Sequence, residues 1–174
     1  SLRLQNRFRA ERLLISTQSL LRSSGLSDEA SAAAAVQAFE EILRISPDHS
    51  AAAAGLTEIS KHYGQLAAEA AQEGEVAEAI RLLQRATAAR SDLREHDRVR
   101  FLISQATSIQ SAVTDLLVRA ESQIANGRLM AQGDDSAAQL LLQVLATDPD
   151  NERATQGLQQ ITATVMAQTQ QMLN

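Results

Sequence analysis

One stretch of this 174-residue chain occurs twice, at a constant offset of 102 residues: residues 42–56 align with residues 144–158. A sequence with such an internal repeat is expected to fold as copies of one supersecondary unit, here about 100 residues long. The second copy is cut off where the first continues with residues 64–90, so we expect the chain to be a fragment of a longer protein. The matched pairs are Pro47 and Pro149, Asp48 and Asp150, Ala52 and Ala154, Gly55 and Gly157, Leu56 and Leu158, and Ile59 and Ile161.

Upstream of this stretch the alignment is weaker. Leu14 is matched with Leu116 at the same offset, whereas Leu26 is matched with Leu129 at an offset of 103. One residue is therefore expected to be missing from the loop before the second helix of the second copy.

The apolar residues of the repeated unit follow the pattern of amphipathic helices, with spacings of three and four. Helices are predicted over residues 8–23, 30–45, from Pro47 to Glu73, and over 76–90, and Pro47 ends the second of them because Pro disfavours helix at the preceding residue. Two Pro and seven Gly are too few for a sandwich or barrel of many short strands, so we predict an all-α fold of antiparallel helical hairpins. The predicted inward residues are Ala35, Phe39, Ile42 and Leu43, then Ala52, Leu56, Ile59, Tyr63, Leu66 and Ala70, and then Ala79, Ile80, Leu83 and Ala86.

Gly55 and Gly157 lie at equivalent places inside predicted helices. Gly costs about 1 kcal/mol relative to Ala at such a position. We therefore expect that both glycines allow two helices to approach closely.

Residues 92–126 contain no Gly and no Pro, and their apolar residues keep the 3–4 spacing throughout. The pattern favours one long helix, with a break near residues 104–108 as the alternative. The apolar seam of this helix either packs inside the chain, against the helix over 76–90, or forms a homodimer interface, because coiled coils use the same spacing. The residues of this possible self-association seam are Val99, Leu102, Ala106, Ile109 and Val113.

Residues 60–93 resemble a tetratricopeptide repeat, a helix–turn–helix of 34 residues. Tyr63 lies where the family has a large aromatic residue, Leu66-Ala67 where it has Leu-Gly, and Ser91 where it usually has Pro. Small residues are expected to let paired helices approach, and larger ones to fill the space to the next hairpin. The small residues are Ala35, Ala67, Ala79, Ala86 and Ala137, and the larger ones are Phe39, Tyr63, Leu83 and Leu141.

The resemblance implies a short solenoid of stacked hairpins, because one hairpin cannot bury its apolar face alone. We expect a first unit over 1–91, a long connecting helix over 92–126, and a truncated second unit over 127–174. It also implies a protein or peptide partner bound in a concave groove lined by the first helix of each hairpin. The outward positions that would line this groove are Lys61, Gln65, Ala68 and Gln72, which lack the basic clamp that some family members use to hold a carboxylate.

No pattern of catalytic or cofactor-binding residues is evident. The chain has no Cys, which excludes thiolate nucleophiles and Cys-ligated metals, and it lacks a Gly-x-Ser-x-Gly elbow and a phosphate-binding glycine loop. Glu95, His96 and Asp97 are consecutive, so on a helix they point about 100° apart and form a solvated charged turn rather than a metal site. His49 and His62 are interpreted as structural or solvated. We predict no enzyme activity, no cofactor and no metal.

Charge and apolar runs exclude two further classes of partner. A net charge of −5 argues against general nucleic-acid binding, and no run of about 20 apolar residues predicts membrane insertion. Arg3, Arg7, Arg9 and Arg12 form a basic stripe that either faces solvent or approaches a membrane surface or acidic partner.

The sequence therefore predicts a non-catalytic scaffold module that binds a protein or peptide. The alternatives are a structural spacer or dimerisation module, and a regulatory domain attached to a catalytic domain outside this fragment. The string from Asn126 to Ile161 is similar to repeats of bacterial cell-envelope proteins. That resemblance favours an envelope-associated location, on the periplasmic side or on the cytoplasmic face of an anchored protein, over the free cytoplasm.

Overall fold

The computed structural model describes residues 2–130 and 135–172, with side chains described from Leu4 onward. These residues form seven α-helices and no strand, and they are 84 % helical, which confirms the predicted all-α class. The long helix is continuous, begins at Glu95 and contains the region in which a break was considered. The helices are α1 (Leu2–Ser24), α2 (Glu29–Ile45), α3 (Ser50–Gln72), α4 (Val76–Ala89), α5 (Glu95–Ala125), α6 (Ala137–Thr147) and α7 (Glu152–Met172).

The chain divides into two compact units, residues 1–106 and residues 107–174, each with its own apolar core. Helix α5 begins in the first unit and ends in the second. The expected division into 1–91, 92–126 and 127–174 stays a prediction.

In the first unit, consecutive helices pack against each other: α1 on α2, α2 on α3, and most extensively α3 on α4. Gly25 directly follows α1, and Gly74 lies in the turn after α3. Both have positive φ, a left-handed backbone conformation that favours Gly. The carboxylate of Asp28 caps α2 by accepting a hydrogen bond from the Ser31 backbone N–H (3.1 Å). Hydrogen bonds from the Ser31 side chain and from its backbone lower the pKa of Asp28.

The five small residues expected at close helix contacts are completely buried. Ala35, Ala67, Ala79, Ala86 and Ala137 each expose 0 % of their surface. Of the larger residues, Phe39, Tyr63 and Leu141 are buried and Leu83 is partly buried. These positions therefore form the cores of the two units, as their spacing predicted.

The prediction that Ile80 of α4 faces inward is wrong. Ile80 is 42 % exposed, and the buried residues of α4 are Ala79, Leu82, Ala86 and Ala89. The spacing 3–4–3 of these four residues fits one helical face, whereas Ile80 lies about 100° from Ala79 around the helix axis. Both faces of α4 carry apolar residues, so only the packing on α3 distinguishes them.

The two units repeat the same contacts. The Nδ1 of His49 accepts a hydrogen bond from the Ala52 backbone N–H, and 102 residues later the Oδ1 of Asn151 accepts one from Ala154 N–H. The C-cap bond of α2, from the Ser46 N–H to the Ile42 oxygen, recurs in α6 between Asp148 and Val144 at the same 2.8 Å. The repeat therefore holds at the level of helix capping.

The alignment of α1 with α5 needs a correction. Leu14 is buried, but Leu116 is only partly buried, and it is Leu117 that is 4 % exposed in the core. At an offset of 103, buried Leu14 and Thr17 correspond to buried Leu117 and Ala120. The one-residue shift therefore applies to the whole of these helices.

Both repeated glycines lie where a second helix approaches, which confirms the expected close contact. A Cβ on Gly55 would overlap the ring of Phe39, and a Cβ on Gly157 would lie 2.8 Å from Cδ1 of Leu141. Phe39 and Leu141 are themselves related by the offset of 102. The same glycine-to-large-residue contact is therefore built into both units.

Candidate functional site

A cavity of about 590 Å³ lies in the first unit, between the outward face of α3 and the beginning of α5. Its volume is within the range of about 300–1,000 Å³ that is typical of ligand pockets. The residues that line it from α3 are Ser60, Lys61, Gly64, Gln65, Ala68, Glu69 and Gln72, and those from the following segment are Leu93, Glu95, His96, Arg98, Val99 and Leu102. We call this cavity the α3 groove.

All four residues expected to line a binding groove lie in the α3 groove. Lys61, Gln65, Ala68 and Gln72 are spaced by four, three and four residues, which places them on one face of α3. Three of them are exposed and Ala68 is partly buried. Their use as a binding surface stays a prediction.

The opposite wall of the groove carries three apolar residues, and the sequence did not predict that they line this groove. Leu93, Val99 and Leu102 line it, and Val99 is only 4 % exposed. Val99 and Leu102 also belong to the core cluster that contains Ala86 and Ala89 of α4. Their burial agrees with packing inside the chain, the first of the two expectations for this seam.

The five seam residues do not share one environment. Ala106 is buried, Val113 belongs to the core of the second unit, and Ile109 is 53 % exposed. The cores of the two units account for the apolar character of Val99, Leu102 and Val113. Self-association through this seam stays a prediction.

The floor of the groove holds a buried polar pair, Ser60 and His96. The Ser60 hydroxyl donates to the Ala86 backbone oxygen (2.7 Å), and Oγ lies 3.0 Å from His96 Nε2. Because the hydroxyl has one proton and the carbonyl can only accept, Nε2 must be the donor to Oγ. In the neutral ring this leaves Nδ1 as an acceptor, and it has no hydrogen-bond partner among the described residues.

The burial of His96 corrects the expectation of a fully solvated charged turn. His96 is 1 % exposed, whereas its neighbours Glu95 and Asp97 are exposed. His96 and Val99 are three residues apart, so they share the inward face of the first turns of α5, and Leu93 lies just before this helix. This spacing is the signal in the sequence that would have placed His96 beside the core.

The connection that positions His96 is held by charged hydrogen bonds. Arg90 donates to the Asp92 carboxylate (2.8 Å) and to the Thr57 hydroxyl (2.8 Å), which ties the end of α4 to α3. The hydrogen bond from Arg90 lowers the pKa of Asp92. The start of α5 is thereby fixed beside Ser60.

The arrangement does not have the properties of a hydrolytic centre. A serine nucleophile needs a base that takes its proton, and here the proton of buried Ser60 is directed to a backbone carbonyl. In residues 2–130 and 135–172 no group of three or more His, Asp or Glu side chains could hold a metal ion. Over the same residues no helix combines the length and apolar character needed to cross a membrane.

Comparison of the chain with protein-family models, with curated proteins and with solved structures finds no match in any of the three.

Truncating Ser60 tests the buried pair. Ser60→Ala removes the acceptor for His96 Nε2 and leaves this buried group without a partner, while the Ala86 oxygen keeps its hydrogen bond from the Arg90 N–H. We expect a loss of about 1–3 kcal/mol in the free energy of unfolding, measured by urea denaturation. The matched control is Ser122→Ala on the exposed side of α5, which should stay within about 0.5 kcal/mol of the wild type. Equal stability of the two variants would contradict a stabilising role for the hydrogen bonds of Ser60.

Proposed function

We propose that this chain is a non-catalytic, tetratricopeptide-like scaffold whose first unit binds a segment of another protein in the α3 groove. The observation that carries the proposal is the composition of this groove. Four outward positions of α3 face an apolar wall of Leu93, Val99 and Leu102 across a cavity of about 590 Å³. An apolar wall with a polar opposite side is suited to a peptide that inserts one or two side chains.

Two further observations support the tetratricopeptide-like arrangement. Consecutive helices of the first unit pack on each other in chain order, as in a stack of hairpins. The small and large core positions recur in both units, with Ala35 and Ala137 at the close contacts and Phe39 and Leu141 beside the repeated glycines. A solenoid of this kind exposes the first helix of a hairpin, and in the first unit α3 carries the groove.

The charges of the groove favour a neutral or mixed segment over a carboxylate terminus. Lys61 and Arg98 are accompanied by Glu69 and Glu95, so neither sign dominates. The proposed ligand is therefore a peptide segment with one or two apolar side chains.

The test is selection of displayed peptides on the chain, followed by affinity measurement on a variant with a filled groove. Ala68→Trp places a large side chain inside the groove, and Ala34→Trp places the same side chain on the exposed side of α2. Selected peptides should bind Ala68→Trp at least about tenfold more weakly, a change of 1.4 kcal/mol, and bind Ala34→Trp as they bind the wild type. No enrichment, or equal binding to both variants, would count against the groove.

A second candidate function, assembly through α1, is favoured by a separate observation. Leu4, Phe8 and Ile15 are 57 %, 69 % and 61 % exposed. Their spacing of four and seven residues places them on one face of α1, beside the face that buries Ala10 and Leu14. Three large apolar side chains along one exposed face suit a dimerisation or docking surface.

Sedimentation equilibrium tests this second candidate. If α1 pairs between copies, Phe8→Ser combined with Ile15→Ser should weaken the dimer at least tenfold, since each buried side chain contributes roughly 1.5–3 kcal/mol. The control is Val118→Ser, which removes a 56 % exposed apolar side chain from α5, outside the possible self-association seam. A wild type that stays monomeric at all concentrations would contradict assembly through α1.

The cellular context stays a proposal as well. The basic stripe is partly used inside the first unit, since Arg9 pairs with Glu41 of α2 (3.2 Å), while Arg7 and Arg12 are exposed and the Arg3 side chain lies outside the described ones. The envelope-associated location and the regulatory alternative both rest on the resemblance of the sequence.

A further inference from the structure

We propose that the second unit carries a seat for one more helix, supplied from outside these 174 residues and similar in pattern to α4. The seat is the face of α7 formed by Thr162, Val165, Met166, Thr169 and Met172, which we call the α7 face. This surface is distinct from the α3 groove, so the inference goes beyond the proposed function.

The register between α3 and α7 is set by buried residues. Ala52 and Ala154 are each 0 % exposed, and Ile59 and Ile161 are 1 % and 3 % exposed, all at the offset of 102. Both helices are continuous beyond these residues, so the same offset applies along them. Each residue of the α7 face therefore has a defined counterpart in α3.

Beyond this shared part the burial of the two helices diverges. Ser60 and Ala67 are 0 % exposed, but their counterparts Thr162 and Thr169 are exposed. Ala70 is 6 % exposed, and its counterpart Met172 is 79 % exposed. The surface that is core in the first unit is thus open on α7.

In the first unit helix α4 covers this surface together with His96 of α5, which lies beside Ser60 and Gly64. The α3–α4 contact is the most extensive of the helix contacts, and the Ser60 hydroxyl donates to the Ala86 oxygen. α4 contributes small residues to this contact, since Ala79 and Ala86 are both 0 % exposed. Within the described residues, no helix follows α7 to do the same.

The sequence of α7 is amphipathic, as a contact with an additional helix requires. Ile161, Val165, Thr169 and Met172 continue the spacing of four, four and three residues of its buried face. Gln159, Gln160, Gln170 and Gln171 lie to either side of this face or opposite it. α6 has 11 residues and α7 has 21, so α6 is too short to cover the whole helix.

The chemistry of the occupant follows from the comparison with α4. It is an amphipathic helix of about 14 residues with Ala at positions seven apart, as Ala79 and Ala86 are in α4. Small residues are required because Met166 and Met172 are larger than their counterparts Gly64 and Ala70. A second copy of this chain is a poorer occupant, since the alanine face of its α4 is already buried against its own α3.

The test supplies such a helix in register. Because residue 174 is the counterpart of Gln72, the last residue of α3, repeating residues 73–91 directly after Asn174 recreates the α3–α4 hairpin on α7. The readout is oxidation of the three methionines by hydrogen peroxide, followed by mass spectrometry. Met130, 66 % exposed and outside the seat, is the internal reference.

The added helix should slow oxidation of Met166 and Met172 by about tenfold relative to Met130, because burial limits access of the oxidant to the thioether. The matched control is the same chimera with Glu in place of the two alanines that copy Ala79 and Ala86, and it should show no protection. Unchanged oxidation in the first chimera would overturn the proposal. Protection of both methionines in the unmodified chain, at concentrations where sedimentation shows a dimer, would also overturn it, because a second copy would then be the occupant.

Discussion

Gly55→Ala is expected to destabilise the first unit by about 1–2 kcal/mol, although Ala is the better helix former. The helix-propensity gain of about 1 kcal/mol is outweighed because the new Cβ would overlap the ring of Phe39, which is 2 % exposed and must move as a rigid ring to relieve the overlap. Gly55→Leu should cost more, since its longer side chain enters the same contact. The measurement is urea denaturation followed by circular dichroism.

Two other helical glycines provide matched controls for this prediction. A Cβ on Gly64 would meet nothing closer than 4.0 Å, so Gly64→Ala should stabilise the protein by up to about 1 kcal/mol. Gly157→Ala should be nearly neutral, because the terminal methyl groups of Leu141 move more easily than an aromatic ring. We therefore expect Gly64→Ala to be the most stable of the three variants, Gly157→Ala to be intermediate and Gly55→Ala to be the least stable.

A double-mutant cycle shows whether Phe39 is the cause. In the Phe39→Leu background the Gly55→Ala change should lose most of its cost, since that pair resembles Leu141 with Gly157 in the second unit. Additive effects of the two substitutions would contradict the account.

Val99→Asp is expected to unfold the first unit, whereas Ile109→Asp should leave stability within about 0.5 kcal/mol of the wild type. Val99 is 4 % exposed in the core cluster, and a carboxylate placed there is removed from water among apolar side chains, which costs several kcal/mol. Ile109 is 53 % exposed, so the same charge stays in water. Both positions follow the same apolar spacing, so the pair isolates burial as the variable.

Hydrogen exchange measured by mass spectrometry shows which unit unfolds in the Val99→Asp variant. For Val99→Asp, protection should disappear from peptides within residues 1–106 and persist in α6 and α7. Protection lost equally from both units would show that they unfold together. A folded Val99→Asp variant would mean that Val99 is not part of a core.

The helices and their inward faces were largely predictable from local patterns. The apolar spacing places Ala35, Phe39 and Ile42 on one side of α2, and Pro47 marks its end, because periodicity and backbone restriction act over a few residues. Where both sides of a helix are apolar, the pattern is insufficient. In α4, Ile80 and Leu82 have similar hydrophobicity, and packing on α3 buries only Leu82.

Half of the candidate site followed from the sequence. The four residues of the outward face of α3, from Lys61 to Gln72, were identified by resemblance and spacing, and they line one cavity. The opposite wall was not identified, because Leu93, His96 and Val99 reach the groove only through the turn between α4 and α5. That turn is held by the Arg90–Asp92 and Arg90–Thr57 hydrogen bonds, which no local pattern predicts.

The sequence by itself determined that this chain is helical, that its unit occurs twice, and which small residues permit close packing, since each of these is recorded in spacings along the chain. Only the tertiary structure decided that His96 is buried against Ser60, that Val99 and Ile109 have opposite environments, and that no helix within residues 2–130 and 135–172 covers α7 as α4 covers α3. The physical reason is that burial depends on which helix packs against a face, and a helical period states only which residues share that face.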